Sequence, residues 1–568
     1  MLSQSNEKTL VNYLYLGAAA VAIFVMTGVV TDPVNATKHF LLGGVALAAF
    51  AIAISFSSRL ILKDSKLFVS AGLIFALLVI FSSIASAAPI SQNLYGAYGR
   101  NTGAVAYLSL LLISLASLAL RQQSSFRKII YSLFIAGFTN IAYCLWAWQI
   151  GDFVGWNNPY NTILGTFGNP NFIGAFLGIF LSVLVAYSLQ QGMSWKFRSI
   201  AAVTFVIGAL EIKQSHAIQG VVVTATGLAV TGFFFIRSTF KSKLIPLIYS
   251  ALVASVGLLA LLGALQKGPL TQYIYKTSVS LRGEYWQAGI NMALERPFTG
   301  IGMDTYGDWY RRLRDASALI MPGPTTVTNA AHNVNFDILA YGGFPLFIAY
   351  VAMLIMCIIA IVKVTFRNKK YDSIFISLTV GWVCYQVQAV ISINQIGLAV
   401  WGWMLSGSII AYEVTTRPTT ETGLNSTSPR KSKQQISGQI ISPQLVGGIG
   451  LVAGLLLAVP PLSADMKWRS ALQAQNLAQV EAALKPSYLA PASSSRLANA
   501  VQLFEQSNLP DIAYKYAKQG IEYNPDYFDA WKVLYYISKS NAADKELALK
   551  NMKRLDPKNN NVLDVPKA

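Results

Sequence analysis

Residues 281–343 bring together the side chains in this chain best suited to chemistry. They hold Arg282, the cluster Arg311, Arg312 and Arg314, and His332, one of three histidines in the protein. Arginine is permanently charged and presents a planar fork of donors that suits phosphate. At a bilayer surface the phosphate to expect is a lipid head group. Fixed arginines stabilise a departing pyrophosphate without a metal. A histidine titrating near neutrality takes the proton from an attacking hydroxyl. The sequence has no DxD, no HExxH, no paired His/Cys set and no glycine-rich loop followed by Lys-Ser/Thr. Neither a metal nor a nucleotide site is supported, and no cofactor is expected.

The elements that position these residues must be membrane helices. Of 568 residues, 54% are hydrophobic and only 12% charged, against about 25% charged in a soluble domain. The net charge of +19 is not read as a nucleic-acid signal, because most of the excess sits in short loops between apolar segments. Cys144, Cys357 and Cys384 lie inside apolar runs, with neither disulfide nor zinc spacing. The first apolar run lacks a small-x-small exit, so no cleavable signal peptide is expected.

A spanning helix needs about 20 mostly apolar residues. Thirteen spans are expected, at 10–30, 40–56, 67–84, 104–120, 129–150, 172–189, 200–212, 218–236, 244–265, 334–362, 373–393, 396–414 and 445–462; 200–212 is the weakest. One set of loops is rich in Lys and Arg: Arg59, Lys63 and Lys66; Arg121, Arg127 and Lys128; Lys196 and Arg198; Arg237, Lys241 and Lys243; Lys363, Arg367, Lys369 and Lys370; Arg417, Arg430, Lys431 and Lys433. The short alternate loops carry Lys38, Arg100 and Lys213. The positive-inside rule makes the first set and the N-terminus cytoplasmic. The long loop 266–333 and everything after 462 are then outside the cytoplasmic (inner) membrane. Residues 1–265 hold spans one to nine and 334–414 spans ten to twelve. Residues 415–443 read as a flexible cytoplasmic linker before the span 445–462.

Residues 464–568 read as a small soluble helical region. Ala513, Ala517, Gly520, Pro525, Ala530 and Trp531, then Pro557, resemble a tetratricopeptide unit, with a degenerate earlier unit over 468–505. A plain helical cap is the alternative. Either way this region is expected to dock a protein partner or acceptor rather than to do chemistry.

The order of residues in the outer segments resembles a known family. Arg282 and Trp286, then Pro297, Gly300, Gly302 and Tyr306, then Ala331-His332-Asn333, then Gly342-Gly343, is similar to the signature region of the O-antigen ligase/polymerase superfamily. GNPNF at 168–172 and YGAYGRNTG around Arg100 resemble it too. The resemblance implies an all-α polytopic fold of about 12–13 transmembrane helices in a glycosyltransferase-C-like bundle. It implies metal-independent, inverting transfer of a glycan from an undecaprenyl-pyrophosphate-type lipid carrier to an acceptor hydroxyl. Arg282 would engage pyrophosphate and His332 would assist the acceptor. Arg100, Lys213, His216, Tyr306, Arg311 and Asn333 are the expected substrate contacts. The family arginine before the eighth helix is missing: Gln214-Ser215-His216-Ala217 stands there. The acidic residue expected before the final glycines is also absent, in Ala340-Tyr341-Gly342-Gly343.

Each residue also has a plainer role. His332 at a helix start is a polar cap, Arg282 beside Glu284 a loop ion pair, and His216 a helix-terminus residue. Tyr306 and Trp286 are packing, His39 is interface decoration, and Arg311 lies on a solvated or lipid-facing basic face. The acceptor stays open among a glycan (polymerase), a lipid (ligase) and a protein (O-oligosaccharyltransferase). A solute or anion transporter fits less well, because no internal repeat is evident and ionisable residues inside the spans are scarce. A peptidoglycan-type polymerase fits less well still.

Overall fold

The computed structural model describes residues 4–156, 158–274, 277–418 and 441–563. Its described regular elements are all helical. The bundle begins with α1 (Gln4–Ile23), α2 (Asn35–Asp64), α3 (Lys66–Ala85), the short α4 (Ile90–Tyr95), α5 (Ala104–Ser117) and α6 (Gln123–Gln149). It continues with α7 (Pro170–Ser188), α8 (Trp195–Gln214), α9 (Ile218–Thr239) and α10 (Leu244–Ala264). The long segment between α10 and α15 folds into α11 (Thr271–Ile274), α12 (Thr277–Glu295), α13 (Tyr306–Leu313) and α14 (Ser317–Ile320). Then α15 (Val334–Arg367), α16 (Ser373–Ile391), α17 (Ile396–Thr415) and α18 (Pro443–Ala474) complete the bundle. The C-terminal region is α19 (Leu477–Leu484), α20 (Ser494–Gln506), α21 (Pro510–Tyr523), α22 (Phe528–Tyr536) and α23 (Ala542–Leu555). Most of the expected linker lies outside the described residues.

Each of the thirteen expected spans falls on a helix. Among the described residues, nine helices are long and apolar enough to cross a membrane: α2, α3, α6, α7, α9, α10, α15, α16 and α18. The other four differ for local reasons. α5 has 14 residues, and α1 opens on polar Asn6, Glu7 and Lys8. α8 carries Lys196, Arg198, Glu211 and Lys213. α17 is buried along nearly all its length inside the bundle, so its Gly, Ser and Trp pack against protein rather than lipid.

The bundle is closed by small residues. α18 lies against α2, where a Cβ on Gly43 would sit 2.8 Å from the Gly454 carbonyl oxygen. Small side chains let helix backbones approach closely where no hydrophobic effect separates them from lipid. α18 runs on past the expected span to Ala474, and a turn at Gln475 and Asn476 leads into α19, tying the C-terminal region to the bundle.

The bundle has two chemically different ends. At one end Glu7 accepts from the Arg121 and Gln122 amides, Arg121 pairs with Asp64, and Glu413 holds both Arg367 and Arg417. The other end carries α4, the 96–103 loop, α12–α14 and the C-terminal helices. Lys38 and His39, near the start of α2, have structural partners. Lys38 Nζ donates to the carbonyls of Val21 and Ala22 at the end of α1, as cations do at helix C-termini. His39 is not surface decoration: it is buried and its Nδ1 bonds the Asn101 carbonyl, anchoring the Arg100 loop.

Candidate active site

The helix that matters most for the site is broken. Pro345 inside α15 removes the donor that the Tyr341 carbonyl needs, and Gly343 (φ 65°, ψ −166°) leaves the helical conformation. The freed carbonyls are taken by the 297–302 loop: Ile301 N donates to Ala340 O at 2.9 Å and Gly302 N to Tyr341 O at 3.1 Å. Ser82 Oγ also donates to Tyr341 O, at 2.5 Å. Phe344 N donates back to Pro297 O at 2.9 Å. A Cβ on Gly300 (φ 64°) would lie 2.2 Å from the Tyr341 oxygen. The Pro/Gly part of the motif is therefore a clamp that holds the outer segment onto α15.

That clamp sets α12 against the start of α15. Arg282 and Tyr285 are one turn apart on α12, and the Tyr285 ring lies 5.4 Å from the His332 ring, tilted 35°. His332 adopts φ 55°, in the left-handed region, which a non-glycine residue keeps only when its surroundings hold it. Its Nδ1 lies 3.3 Å from the Ala330 carbonyl, which can only accept. Nδ1 therefore carries the proton, and the Nε2 lone pair is left for a substrate. Burial, aided by the charges of Arg282 and Arg100, pushes the imidazole down to about 4. His332 is thus a neutral base at pH 7.

Arg282 is partly buried and makes no ion pair among the described residues, and burial pulls its pKa down. Arg100 is 6% exposed. Its Nη1 donates to the Asn329 carbonyl at 3.1 Å, and its Nε lies 3.3 Å from Asp304. Burial opposes the Arg100 charge, but the Asp304 carboxylate and its neighbours outweigh it and keep the group cationic.

Several expected contacts are placed elsewhere. Tyr306 is fully buried, donates to the Tyr285 carbonyl and stacks on Tyr310; it supports Tyr285 from behind and presents no surface to a substrate. Asn333 caps α15, accepting from the Asn335 amide. Arg311 is neither solvated nor lipid-facing: it pairs with Asp556 at 3.4 Å and lies over the Phe528 ring. Arg314 is fully buried and makes two bonds to Asp556, at 2.9 and 2.7 Å. Arg312 pairs with Asp526 at 2.8 Å. The arginine cluster docks the C-terminal region. Lys213 and His216 are exposed at the α8–α9 turn, beside the 151–169 loop through Thr162 and the Gln214 carbonyl. Among the described residues, no hydrogen bond or ion pair joins Lys213 or His216 to Arg100 or His332.

Two acidic residues near the site were not singled out from the sequence. Asp304 accepts from the Ala97 and Thr102 amides and organises the Arg100 loop. Asp337, one turn into α15, accepts from the Ala331 amide at 2.7 Å and fixes the backbone just before His332.

Residues 162–351 match the family model of the O-antigen ligase. That segment is similar to the O-antigen ligase family and supports the resemblance read from the motifs. The matched segment runs from the loop before α7 to the middle of α15, so it includes Arg282, the Pro/Gly clamp and His332 but not Arg100. No curated protein matches the chain. The similarity agrees with an all-helical polytopic protein and supports membrane glycan ligation or polymerisation in general.

Proposed function

We propose that this chain transfers a glycan from a lipid-linked pyrophosphate donor to an acceptor hydroxyl, without a metal, at the end of the bundle opposite the basic loops. The supporting observation is the pairing of a neutral His332, its Nε2 lone pair open, with the charge of Arg282 acting on it. In this reading His332 Nε2 takes the proton of the acceptor hydroxyl as that oxygen attacks the anomeric carbon. The bond to the pyrophosphate oxygen breaks, and Arg282 stabilises the charge that develops there. Attack opposite the leaving group inverts the anomeric centre. Arg100 adds positive potential and positions the 329–332 loop. A polymerase or ligase is the leading reading, with protein O-glycosylation as the variant. By positive-inside logic the chemistry lies on the outer face of the cytoplasmic membrane.

The test is a gene deletion complemented with wild type, Arg282→Ala or His332→Ala, with surface glycans resolved by size and glycoproteins stained alongside. Loss of long chains with single repeats left marks a polymerase. Full-length glycan stranded on its carrier marks a ligase, and loss of glycoprotein bands alone marks protein glycosylation. Glycans unchanged in both variants would overturn the assignment.

A further inference from the structure

A cavity of about 250 Å³ lies between the C-terminal helices and the loops that hold Arg100. One wall is the 91–101 segment with Asp304, Asp308 and Asn329. The other is the 491–496 turn with Tyr523, Tyr527 and Phe528. The walls are bonded around the cavity: Ser91 to Tyr523 at 2.6 Å, and Asp308 accepting from both Gln92 and Asn524 at 3.1 Å.

Arg496 on this wall is unlike the other interdomain arginines. It is 6% exposed, and its guanidinium lies over the Tyr98 ring at 5.3 Å. Among the described residues that guanidinium makes no hydrogen bond and no ion pair, and its Nε is buried without a partner. Arg311, on the same cavity, is satisfied by Asp556 and the Pro324 carbonyl. Asp465, whose charge acts on Arg496, is already committed to the Thr31 and Asp32 amides and to Tyr98 Oη. A buried cation without an acceptor is unfavourable unless a ligand supplies one.

We propose that this cavity binds an acidic sugar unit of the acceptor glycan, with Arg496 pairing with its carboxylate. The proposal rests on the glycan-transfer reading and names the class of acceptor. The rings of Tyr95, Tyr523 and Tyr527 offer flat apolar faces for the C–H faces of a pyranose, and Ser493, Ser495 and Asn329 offer hydroxyl partners. The cavity wall is joined to the proposed base through Asn329. Asn329 is three residues before His332, no more than ~10 Å along the chain. An acceptor held by Arg496 would present its terminal hydroxyl toward the His332 base.

The test is calorimetric titration of the full-length protein in lipid nanodiscs with tetragalacturonic acid, with its full methyl ester and with inorganic phosphate. The acid is expected to bind at least tenfold more tightly than the ester, which keeps the shape and removes the charge. Arg496→Gln should lose that tenfold preference and Arg496→Lys should keep part of it. Ala492→Trp, which fills the cavity and leaves the arginine in place, should abolish binding. Arg282→Ala should bind as wild type does. Equal binding of acid and ester, unchanged binding by Arg496→Gln, no saccharide binding at all, or affinity for phosphate alone would each overturn the proposal. Failure here beside lost surface glycan in His332→Ala would remove the cavity assignment and leave the transferase reading. A charge-selective cavity beside unchanged glycans in His332→Ala would do the reverse.

Discussion

The segment between α10 and α15 carries arginines in opposite surroundings. Arg282, with Arg100 nearby, acts on a neutral histidine and has no carboxylate of its own among the described residues. Arg311, Arg312 and Arg314, only one helix later, are neutralised by Asp556 and Asp526 of the C-terminal region. Both groups are buried to some degree and both lie at the same end of the bundle. Their partners separate them: Arg282 has its charge left over for a ligand, and the Arg311–Arg314 cluster spends its charge on assembly. A basic cluster near a membrane is therefore a phosphate site only where the fold withholds acidic partners.

The comparison breaks most directly at His332. His332→Ala should lower transfer by roughly 10²–10⁴-fold, and Arg282→Ala by roughly 10²–10³-fold, measured as surface glycan or in vitro transfer, with thermal unfolding unchanged. Equal losses from Arg312→Ala would erase the distinction between the two groups. The docking group should instead respond in stability. Asp556→Ala leaves Arg314 and Arg311 buried without their acid and should destabilise the C-terminal region by about 3–5 kcal/mol, read as early protease cleavage after α18. The double variant Arg314→Met with Asp556→Leu should recover most of that loss.

The pH dependence sharpens the contrast. His332 titrates at about 4 in the folded protein, so the acid limb of the transfer rate should fall near pH 4 rather than near the ordinary ~6.5. Arg282→Gln removes a positive neighbour and should move the limb of the residual activity upward. At the docking face, burial pushes Asp308 up to about 6. Its contribution to stability is then fully present below its ordinary value of about 4 and is lost as pH rises through about 6. Thermal unfolding of the C-terminal region should fall across that window, and Asp308→Asn should flatten the slope. The smallest effects are expected at Lys213→Ala and His216→Ala, each within about twofold in transfer, as for exposed positions away from the chemistry. A large loss there would extend the active site to the α8–α9 turn.

Much of the framework was legible because its physics is local. Apolar length gave the helices, and Lys/Arg asymmetry separated the two ends of the bundle. The spacing of Arg282, Pro297, Gly300, Gly302 and His332 marked one segment, which the structure folds against the start of α15. The glycines were readable as turn formers, but their purpose was not: they clamp a helix that Pro345 breaks, and that needs the Ala340 and Tyr341 carbonyls in view. Tyr306 and Asn333 sat inside the motif and were read with it, yet packing makes one a support and the other a cap. Sequence proximity to a motif does not say which way a side chain faces.

The sequence by itself determined that this is a helical membrane protein and grouped Arg282, the Arg311–Arg314 cluster and His332 in one segment, because burial of apolar length and helical periodicity follow from composition and spacing. Only the tertiary structure decided which arginines remain uncommitted. Asp556 lies more than two hundred positions from Arg311 and Arg314, and Arg100 meets Asp304 across a similar gap. Whether a charge serves a substrate or a salt bridge depends on the acids that folding brings beside it.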